Sequence, residues 1–157
     1  MLFWTLRNLR SGDPARRQTA IEELGRSCKG ATKPDVSKAV RRALEDDDDG
    51  VRSAAGRTRD AYVEFLIVHM KRHAGAVEWH ILERKEAARA LGELGGARAA
   101  DALIDALKDR HMLVRATAAA CLGELGDPSA CSALTNALED RQVKDAAEKA
   151  LCKIRRC

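Results

Sequence analysis

Aromatic residues, prolines and β-branched residues are scarce in this sequence. Aromatic side chains make up 3% of the chain, and there are only three prolines. Strands are enriched in β-branched and aromatic side chains, so their scarcity argues against a β-rich fold. Alanine, leucine, glutamate and arginine dominate instead, and all four favour helix. The composition therefore predicts helix nearly throughout.

The chain also lacks long apolar runs and a recognisable leader. No segment approaches the roughly 18 apolar residues of a membrane-spanning helix. The amino terminus shows neither a basic stretch before an apolar core nor a cleavage-like site. The five cysteines follow no C-x-x-C spacing and mostly fall inside apolar helical patterns. We interpret them as small buried apolar residues of a protein in a reducing compartment. We therefore expect a soluble cytoplasmic protein.

Neither sign of charge dominates the chain. The 28 basic and 24 acidic residues give a formal net charge of +4, and the small excess is spread over the whole length. A basic tail that binds nucleic acid is therefore not expected. A basic face assembled by folding stays open as an alternative.

Internal repetition is the strongest signal in the sequence. Residues 90–95, Ala-Leu-Gly-Glu-Leu-Gly, recur at 121–126 with cysteine in place of the first alanine, and residues 101–109 recur at 132–140. Both pairs of segments are offset by the same 31 residues, which is the period of a repeat protein. Weaker copies toward the amino terminus extend the pattern, so four or five repeats cover almost the whole chain.

Each repeat is predicted to contain two helices. From Leu113 to Leu125 the apolar residues recur at helical spacing, and Gly126 is expected to end this first helix. Pro128 suits the start of a second helix, which is predicted to run to Leu138. The many alanines of the first helix allow close stacking, so each repeat buries its face mainly against the next one.

These segments resemble the HEAT-like repeats of the phycobilisome-lyase type. The hallmarks of that family are a Val-Arg start, an alanine-rich Leu-Gly-x-Leu-Gly end, and a following Ala-Leu-x-x-Ala-Leu-x-Asp helix. The resemblance implies a right-handed α-solenoid of about four to five helix pairs in one domain, 1–157. Its regular repeats are expected at about 80–157 and an irregular one at about 50–79. The family includes chromophore-lyase subunits, signalling adaptors, scaffold modules and a few enzymes, so it indicates the fold better than the function.

The resemblance also implies a ladder of hydrogen bonds. In related repeats an acid in the turn and a base at the start of the next helix connect neighbouring repeats. The corresponding pairs are Asp46 with Arg52, Asp109 with Arg115, and Asp140 with Lys144. Ligand contact is the alternative role of these residues.

The pattern breaks after Val51. No Leu-Gly-x-Leu-Gly stop follows, and an apolar stripe continues toward Arg72, which predicts either one long helix from about Gly50 to His73 or two helices that meet without a glycine turn. Three aromatic residues and three histidines fall in this stretch: Tyr62, Phe65 and Trp79, with His69, His73 and His80. The aromatics either fill the larger gap of the irregular repeat or form a binding patch.

Few arrangements in the sequence could carry catalysis. His69 and His73 are spaced i, i+4 and could hold a metal with His80 or a carboxylate. The paired His-Glu dipeptides of the iron-containing HEAT-repeat hydroxylases are absent. Cys121 and Cys152 are predicted to face inward. The acidic run 45–50 lacks the ligand spacing of an EF-hand and is interpreted as a solvated turn in which Asp48 or Asp49 caps a helix.

The leading functional hypothesis is a non-catalytic protein-binding module or scaffold, with no cofactor. Its binding residues are expected on the second helices and near the irregular repeat: Lys38, Arg41, Arg42, Asp105, Asn136, Tyr62, Trp79 and His80. One alternative is a lyase-like or metal-dependent enzyme that uses the histidine region, and another is nucleic-acid binding through a basic concave face. We expect a protein partner and no membrane contact. The solenoid ends, where Phe3 and Trp4 are interpreted as a terminal cap, are candidate sites of homodimerisation.

Overall fold

The computed structural model describes residues 2–27, 34–72 and 78–156. Within these ranges the chain forms nine α-helices and no β-strand. The helices are α1 (Leu2–Asn8), α2 (Pro14–Ser27), α3 (Pro34–Leu44), α4 (Asp49–Arg72), α5 (Glu78–Leu94), α6 (Ala97–Ala106), α7 (Met112–Leu125), α8 (Cys131–Ala137) and α9 (Lys144–Arg156). A 3-10 turn, Pro128–Ala130, leads into α8.

The all-α solenoid class predicted from the sequence is confirmed, because the helices form pairs that pack on their neighbours along the chain. The chain divides into two compact units, unit 1 (Met1–Phe65) and unit 2 (Leu66–Cys157), and the boundary falls inside α4. The organisation as a single domain stays a prediction. None of the helices in the described ranges combines the length and the apolar run that a bilayer-crossing segment requires.

The core of unit 1 is built from α2, α3 and the first turns of α4. Along each helix, buried apolar residues recur three or four positions apart, so each helix buries one apolar stripe. These buried residues include Ile21, Leu24, Val36, Val40, Val51 and Ala55. The hydroxyl of Thr58 donates a hydrogen bond of 3.2 Å to the carbonyl of Ile21, which satisfies a buried polar group inside this core.

Unit 2 contains the regular repeats. Helix α5 packs against α6 and α7, α7 packs against α6 and α9, and α8 packs against α9. Each of these five helices contributes buried apolar side chains, which include Leu91, Leu103, Val114, Leu122, Leu134 and Ala147. Helices α5, α7 and α9 are the first helices of consecutive repeats. Each contacts the next one, so their apolar stripes form one continuous core.

The first glycine of each Leu-Gly-Glu-Leu-Gly segment permits this close packing. A Cβ added at Gly92 would lie 2.7 Å from the Cβ of Cys121 on α7. A Cβ added at Gly123 would lie 2.7 Å from the Cα of Ala150 on α9. No side chain fits at these distances, so glycine is needed where consecutive first helices approach most closely.

The second glycine of the segment ends the first helix, as predicted. Gly126 has a φ of 67°, in the left-handed region, and its N–H donates to the carbonyl of Leu122. The next helix then begins as expected, because the carboxylate of Asp127 accepts a hydrogen bond of 2.9 Å from the N–H of Ser129.

The irregular repeat forms one long helix. Helix α4 spans 24 residues without a glycine turn, which confirms the first of the two predicted arrangements; His73 lies outside the described residues. The carboxylate of Asp48 accepts a hydrogen bond of 3.0 Å from the N–H of Val51 at the start of this helix. The acidic run before α4 therefore includes a helix cap, as the sequence predicts.

Candidate interaction surface

Two arginines hold the turn between α3 and α4 in unit 1. Arg17 of α2 donates to both carboxylate oxygens of Asp46, from Nε at 2.9 Å and from Nη2 at 2.8 Å. Arg52 of α4 donates from Nη1 to the backbone carbonyls of Asp46 and Asp47, at 2.6 and 2.8 Å. The hydrogen bonds from Arg17 hold the pKa of Asp46 below its usual range.

Unit 2 repeats this arrangement. Arg84 of α5, whose side chain is 0% exposed, donates to both carboxylate oxygens of Asp109, at 2.9 and 3.0 Å. Arg115 of α7 donates from Nη1 to the backbone carbonyl of Asp109 at 2.8 Å and from Nε to the carboxylate of Asp140 at 2.7 Å. Arg115 thus connects one turn to the next, and the bonds form a continuous ladder.

The predicted ladder therefore exists, but its atoms differ from those expected. An arginine six residues after the acid binds the backbone carbonyl of that acid, as Arg115 binds Asp109. The carboxylate of Asp109 is bound by Arg84, 25 residues earlier. Sequence reasoning missed Arg17 and Arg84. A signal for Arg84 was present, because it precedes Arg115 by the repeat period of 31 residues.

The third predicted pair departs from the pattern. The backbone N–H of Lys144 donates to the carbonyl of Asp140 at 2.8 Å, whereas its ammonium lies 3.8 Å from the carboxylate of Glu148. The pKa of Asp140 is held below its usual range mainly by the hydrogen bond from the N–H of Gln142, and to a smaller extent by the hydrogen bond from Arg115. The turn acids of the ladder are thus engaged in holding the fold, which supports their structural interpretation over ligand contact.

Helix α3, the second helix of its repeat, carries three predicted binding residues. Lys38, Arg41 and Arg42 on α3 are all exposed, and within the described part of the chain none of them forms an ion pair. Lys38 and Arg42 line a cleft of about 630 Å³ together with Arg10 and Arg17. The structure therefore brings two of the predicted cations to one concave surface.

The cleft also contains acidic and apolar side chains. Asp35, Glu45 and Asp47 are exposed residues of its lining, and its apolar lining includes Leu6 of α1 and Leu9 just after that helix. A surface of this mixed character fits a peptide or protein segment better than a uniformly charged polymer.

Two further predicted residues lie on second helices of unit 2. Asp105 on α6 and Asn136 on α8 are exposed. Asp105 lines a second, mainly apolar cleft with Ala102 of α6 and with Ile67 and Met70 of α4. The exposure of both polar residues leaves them accessible to a partner.

The residues predicted near the irregular repeat differ in accessibility. Tyr62 is only 2% exposed, and its ring stacks on Phe65 with 6.0 Å between the centroids. This burial supports the packing interpretation of Tyr62 over partner contact. His80 is half-buried on α5, and the side chain of Trp79 lies outside the described residues.

The histidine region does not assemble a metal site among the described residues. Nε2 of His69 lies 3.5 Å from a carboxylate oxygen of Glu83 on α5. His73, the predicted i, i+4 partner of His69, lies outside the described ranges. In those ranges no three His, Cys, Asp or Glu side chains converge as metal ligands would.

The two cysteines predicted to face inward behave differently. Cys121 lies against α5, and burial raises the pKa of its thiol to about 11, so the thiol is protonated at neutral pH. Cys152 is exposed, which corrects the prediction for this residue. On α9 the buried side is formed by Ala147, Ala150 and Leu151, and the helical period carries position 152 away from it. Cys28 and Cys157 lie outside the described residues.

The amino-terminal helix exposes an aromatic side chain. Trp4 on α1 is 57% exposed, and α1 packs against α2. The side chain of Phe3 lies outside the described residues. The interpretation of this pair as a terminal cap stays a prediction.

Comparison with known proteins identifies the repeat. Residues 76–152 match the family model of HEAT repeats. No curated protein matches the sequence.

Three solved structures illustrate the similarity. The complex of CpcE and CpcF of phycocyanin lyase from Nostoc sp. PCC7120 is 26% identical with a TM-score of 0.46; the match covers 98% of this chain and 53%, about half, of that chain. An engineered protein is 21% identical with a TM-score of 0.41, covering 99% of this chain and 79% of the other. A designed armadillo repeat protein is 18% identical with a TM-score of 0.39, covering 98% and 82%.

Proposed function

We propose that this chain, of which residues 76–152 match the HEAT repeats, is a protein-binding module without catalytic activity of its own. The partner binds the exposed faces of the second helices, and the cations of α3 are its main contact. Asp105 and Asn136 are the proposed contacts on α6 and α8, and Trp79 and His80 are the proposed contacts near the start of α5.

The exposed cations of α3 are the observation that carries this proposal. Lys38, Arg41 and Arg42 lie within two turns of one helix and form no ion pair in the described ranges. Some exposed arginines elsewhere in unit 1 are paired, as Arg16 is with Asp13. Unpaired cations beside a cleft are available to the carboxylates of a partner, and such charges accelerate association and select the partner.

The side chains that could support catalysis favour this proposal as well. The thiol of Cys121 is protonated at neutral pH and is therefore a weak nucleophile. His69 lies beside Glu83, which gives the imidazole a neighbour within the fold. Both groups have structural surroundings that account for them.

Charge reversal on α3 tests the proposal. The double variant Arg41→Glu/Arg42→Glu and the wild type are used to capture proteins from the lysate of the source organism, followed by quantitative mass spectrometry. We expect the variant to lose at least one partner that the wild type captures reproducibly. Trp79→Ala tests the proposed contact near α5 in the same assay.

A matched control separates a local effect from a change in net charge. Arg16→Glu/Arg26→Glu changes the net charge equally, but on α2, where Arg16 lies near Asp13, just before the helix, and Arg26 lies near Glu22 within it. We expect this control to keep the wild-type partners. If the α3 variant kept them all, or if the control lost the same ones, α3 would not be the binding surface.

The other two functional hypotheses have direct tests. Metal analysis of the purified protein that found a stoichiometric metal, lost on His69→Ala/His73→Ala, would support the metal-dependent enzyme. Steeply salt-dependent affinity for duplex DNA would support nucleic-acid binding. Neither result is expected, because the net charge is only +4 and His69 already has a neighbouring carboxylate.

A further inference from the structure

Unit 2 exposes large apolar side chains at the start of two consecutive first helices. Leu82 on α5 is 59% exposed, and Met112 and Leu113, the first two residues of α7, are 43% and 45% exposed. Leu82 and Leu113 are separated by the repeat period of 31 residues, so they occupy equivalent positions in their repeats. The exposure of leucine at this position is therefore a repeated feature of the surface.

The packing of α5 on α7 places these side chains next to one another. Cβ atoms added at Gly92 in α5 and at Gly95 just after it would contact Cys121 and Leu125 of α7, so the two helices meet there with an offset of 29 or 30 positions. The two helices therefore run parallel and in register. This register places Leu82 beside the first residues of α7, and the exposed apolar side chains form one continuous strip.

Exposed cations accompany the strip. Arg110 and Arg141 lie in the turns before α7 and α9, again 31 residues apart, and neither forms an ion pair within the described part of unit 2. Arg115, close to Leu113, donates 3.1 Å to the side chain of Gln142 and thereby holds the second turn beside the start of α7. Both cations consequently flank the apolar strip.

Several acids close to this strip in sequence are already bound. The carboxylates of Asp109 and Asp140 accept hydrogen bonds from Arg84 and Arg115. Glu86, one turn after Leu82, pairs with Arg89 at 3.1 Å. The amino-terminal ends of α7 and α9 add the positive end of the helix dipole. The two exposed arginines are therefore not paired with these acids.

We propose that the docking strip, defined as Leu82, Met112 and Leu113 with Arg110 and Arg141, binds an extended acidic segment of a partner protein. Packed helices lie about 8–10 Å apart, a distance that three residues of extended chain span at about 3.3 Å each. The matching segment carries an apolar side chain at every third residue, which packs on the leucines, and acidic residues between them, which pair with the arginines. The inference rests on the proposed function, since it makes the partner a protein, but it assigns a second surface and the chemistry of what binds there.

A peptide fits this strip better than a lipid surface or a nucleic acid. Polybasic membrane segments carry about four to eight clustered cations, and binding to phosphate backbones also requires several. The docking strip offers two, alternating with leucines. Its recognition therefore depends on the combination of apolar and acidic groups that a protein segment supplies.

Synthetic peptides test the proposal with the full chain. The probe is a fluorescein-labelled peptide of Leu-Glu-Glu repeats, about nine residues long so that it spans the strip in extended form. The comparison peptides replace leucine by serine or glutamate by lysine. We expect fluorescence anisotropy to show binding of the Leu-Glu-Glu peptide alone, and to show that added salt weakens it because salt screens exposed charges.

Variants locate the binding on the chain. Arg110→Glu/Arg141→Glu is expected to weaken binding about tenfold, since each exposed charge pair contributes about a few-fold. Leu82→Ser/Leu113→Ser is expected to weaken it by a similar factor. The control Lys149→Glu/Arg155→Glu changes the net charge equally on exposed positions of α9 and is expected to leave the affinity unchanged. All these residues are exposed, and circular dichroism checks that each variant is folded.

Several outcomes would overturn the inference. These are no binding of the Leu-Glu-Glu peptide, equal binding of either comparison peptide, an equal loss in the α9 control, or preferential binding to anionic vesicles or duplex DNA. The peptide assay does not involve α3. If the peptide did not bind but capture from the lysate still depended on α3, only this inference would be refuted. If the peptide bound but the α3 variant kept all partners, only the proposed α3 surface would be refuted.

Discussion

The close approach of α7 and α9 makes Gly123→Ala the most informative single substitution. The added Cβ would lie 2.7 Å from the Cα and 2.9 Å from the Cβ of Ala150. Carbon contacts are normally about 3.5–4.0 Å long, so the helices must separate by roughly 1 Å. Overpacking of this kind costs about 1–3 kcal/mol, and the better helix propensity of alanine returns up to about 1 kcal/mol. We expect a net loss of about 1–2 kcal/mol, measured by urea unfolding followed by circular dichroism.

Gly56→Ala is the matched control, with the opposite expected sign. Gly56 lies inside α4, and a Cβ added there meets no atom within 4 Å. Alanine should therefore stabilise this helix by about 0.5–1 kcal/mol. Each kcal/mol corresponds to a shift of about 2–4 °C in the thermal midpoint for a chain of this length. If Gly123→Ala were as stable as the wild type, or if both variants changed stability in the same direction, close packing would not explain why glycine occupies position 123.

Three further predictions follow from buried and hydrogen-bonded groups. Arg84→Met removes a fully buried guanidinium and leaves Asp109 without its main partner, so it should destabilise the protein by about 3–5 kcal/mol in urea unfolding; a loss below about 1 kcal/mol would contradict this. The pKa of Asp140 is lowered in the folded state, mainly by the hydrogen bond from the N–H of Gln142. Its ionised carboxylate therefore stabilises the fold above the unfolded-state pKa of about 4, and this stabilisation is lost as the pH falls through the lower folded-state pKa. Asp140→Asn should therefore reduce the acid sensitivity of unfolding, and an unchanged pH profile would refute the assignment. At neutral pH iodoacetamide should alkylate the exposed Cys152 much faster than Cys121, whose pKa is about 11; equal rates by peptide mass spectrometry would contradict the burial of Cys121.

The features that sequence reasoning predicted correctly depend on local rules. The stop at Gly126 is a matter of backbone conformation, because a left-handed φ favours glycine. The helix start after Asp127 depends on a side chain that caps its own backbone. The long helix α4 follows from a continuous apolar stripe without a glycine turn. In each case the determining residues are neighbours in the chain.

The features that sequence reasoning missed depend on contacts between helices. Position 152 fits an apolar pattern, but it falls outside the side of α9 that other helices cover. Arg84 was not singled out from the sequence, although it is fully buried against a turn 25 residues away. Tyr62 was a candidate for both packing and binding, and its burial supports packing. Exposure depends on which neighbours pack against a helix, so no single segment reveals it.

The sequence by itself determined the repeat, its period, the approximate bounds of α7 and the all-α class. These follow from apolar spacing, helix propensity and glycine conformation, which act over one or two helical turns. Only the tertiary structure decided which atoms form the ladder, why the first glycine is needed, and which leucines remain exposed. The physical reason is that stacking fixes the register between helices, and the register places Gly92 against Cys121 and Gly123 against Ala150.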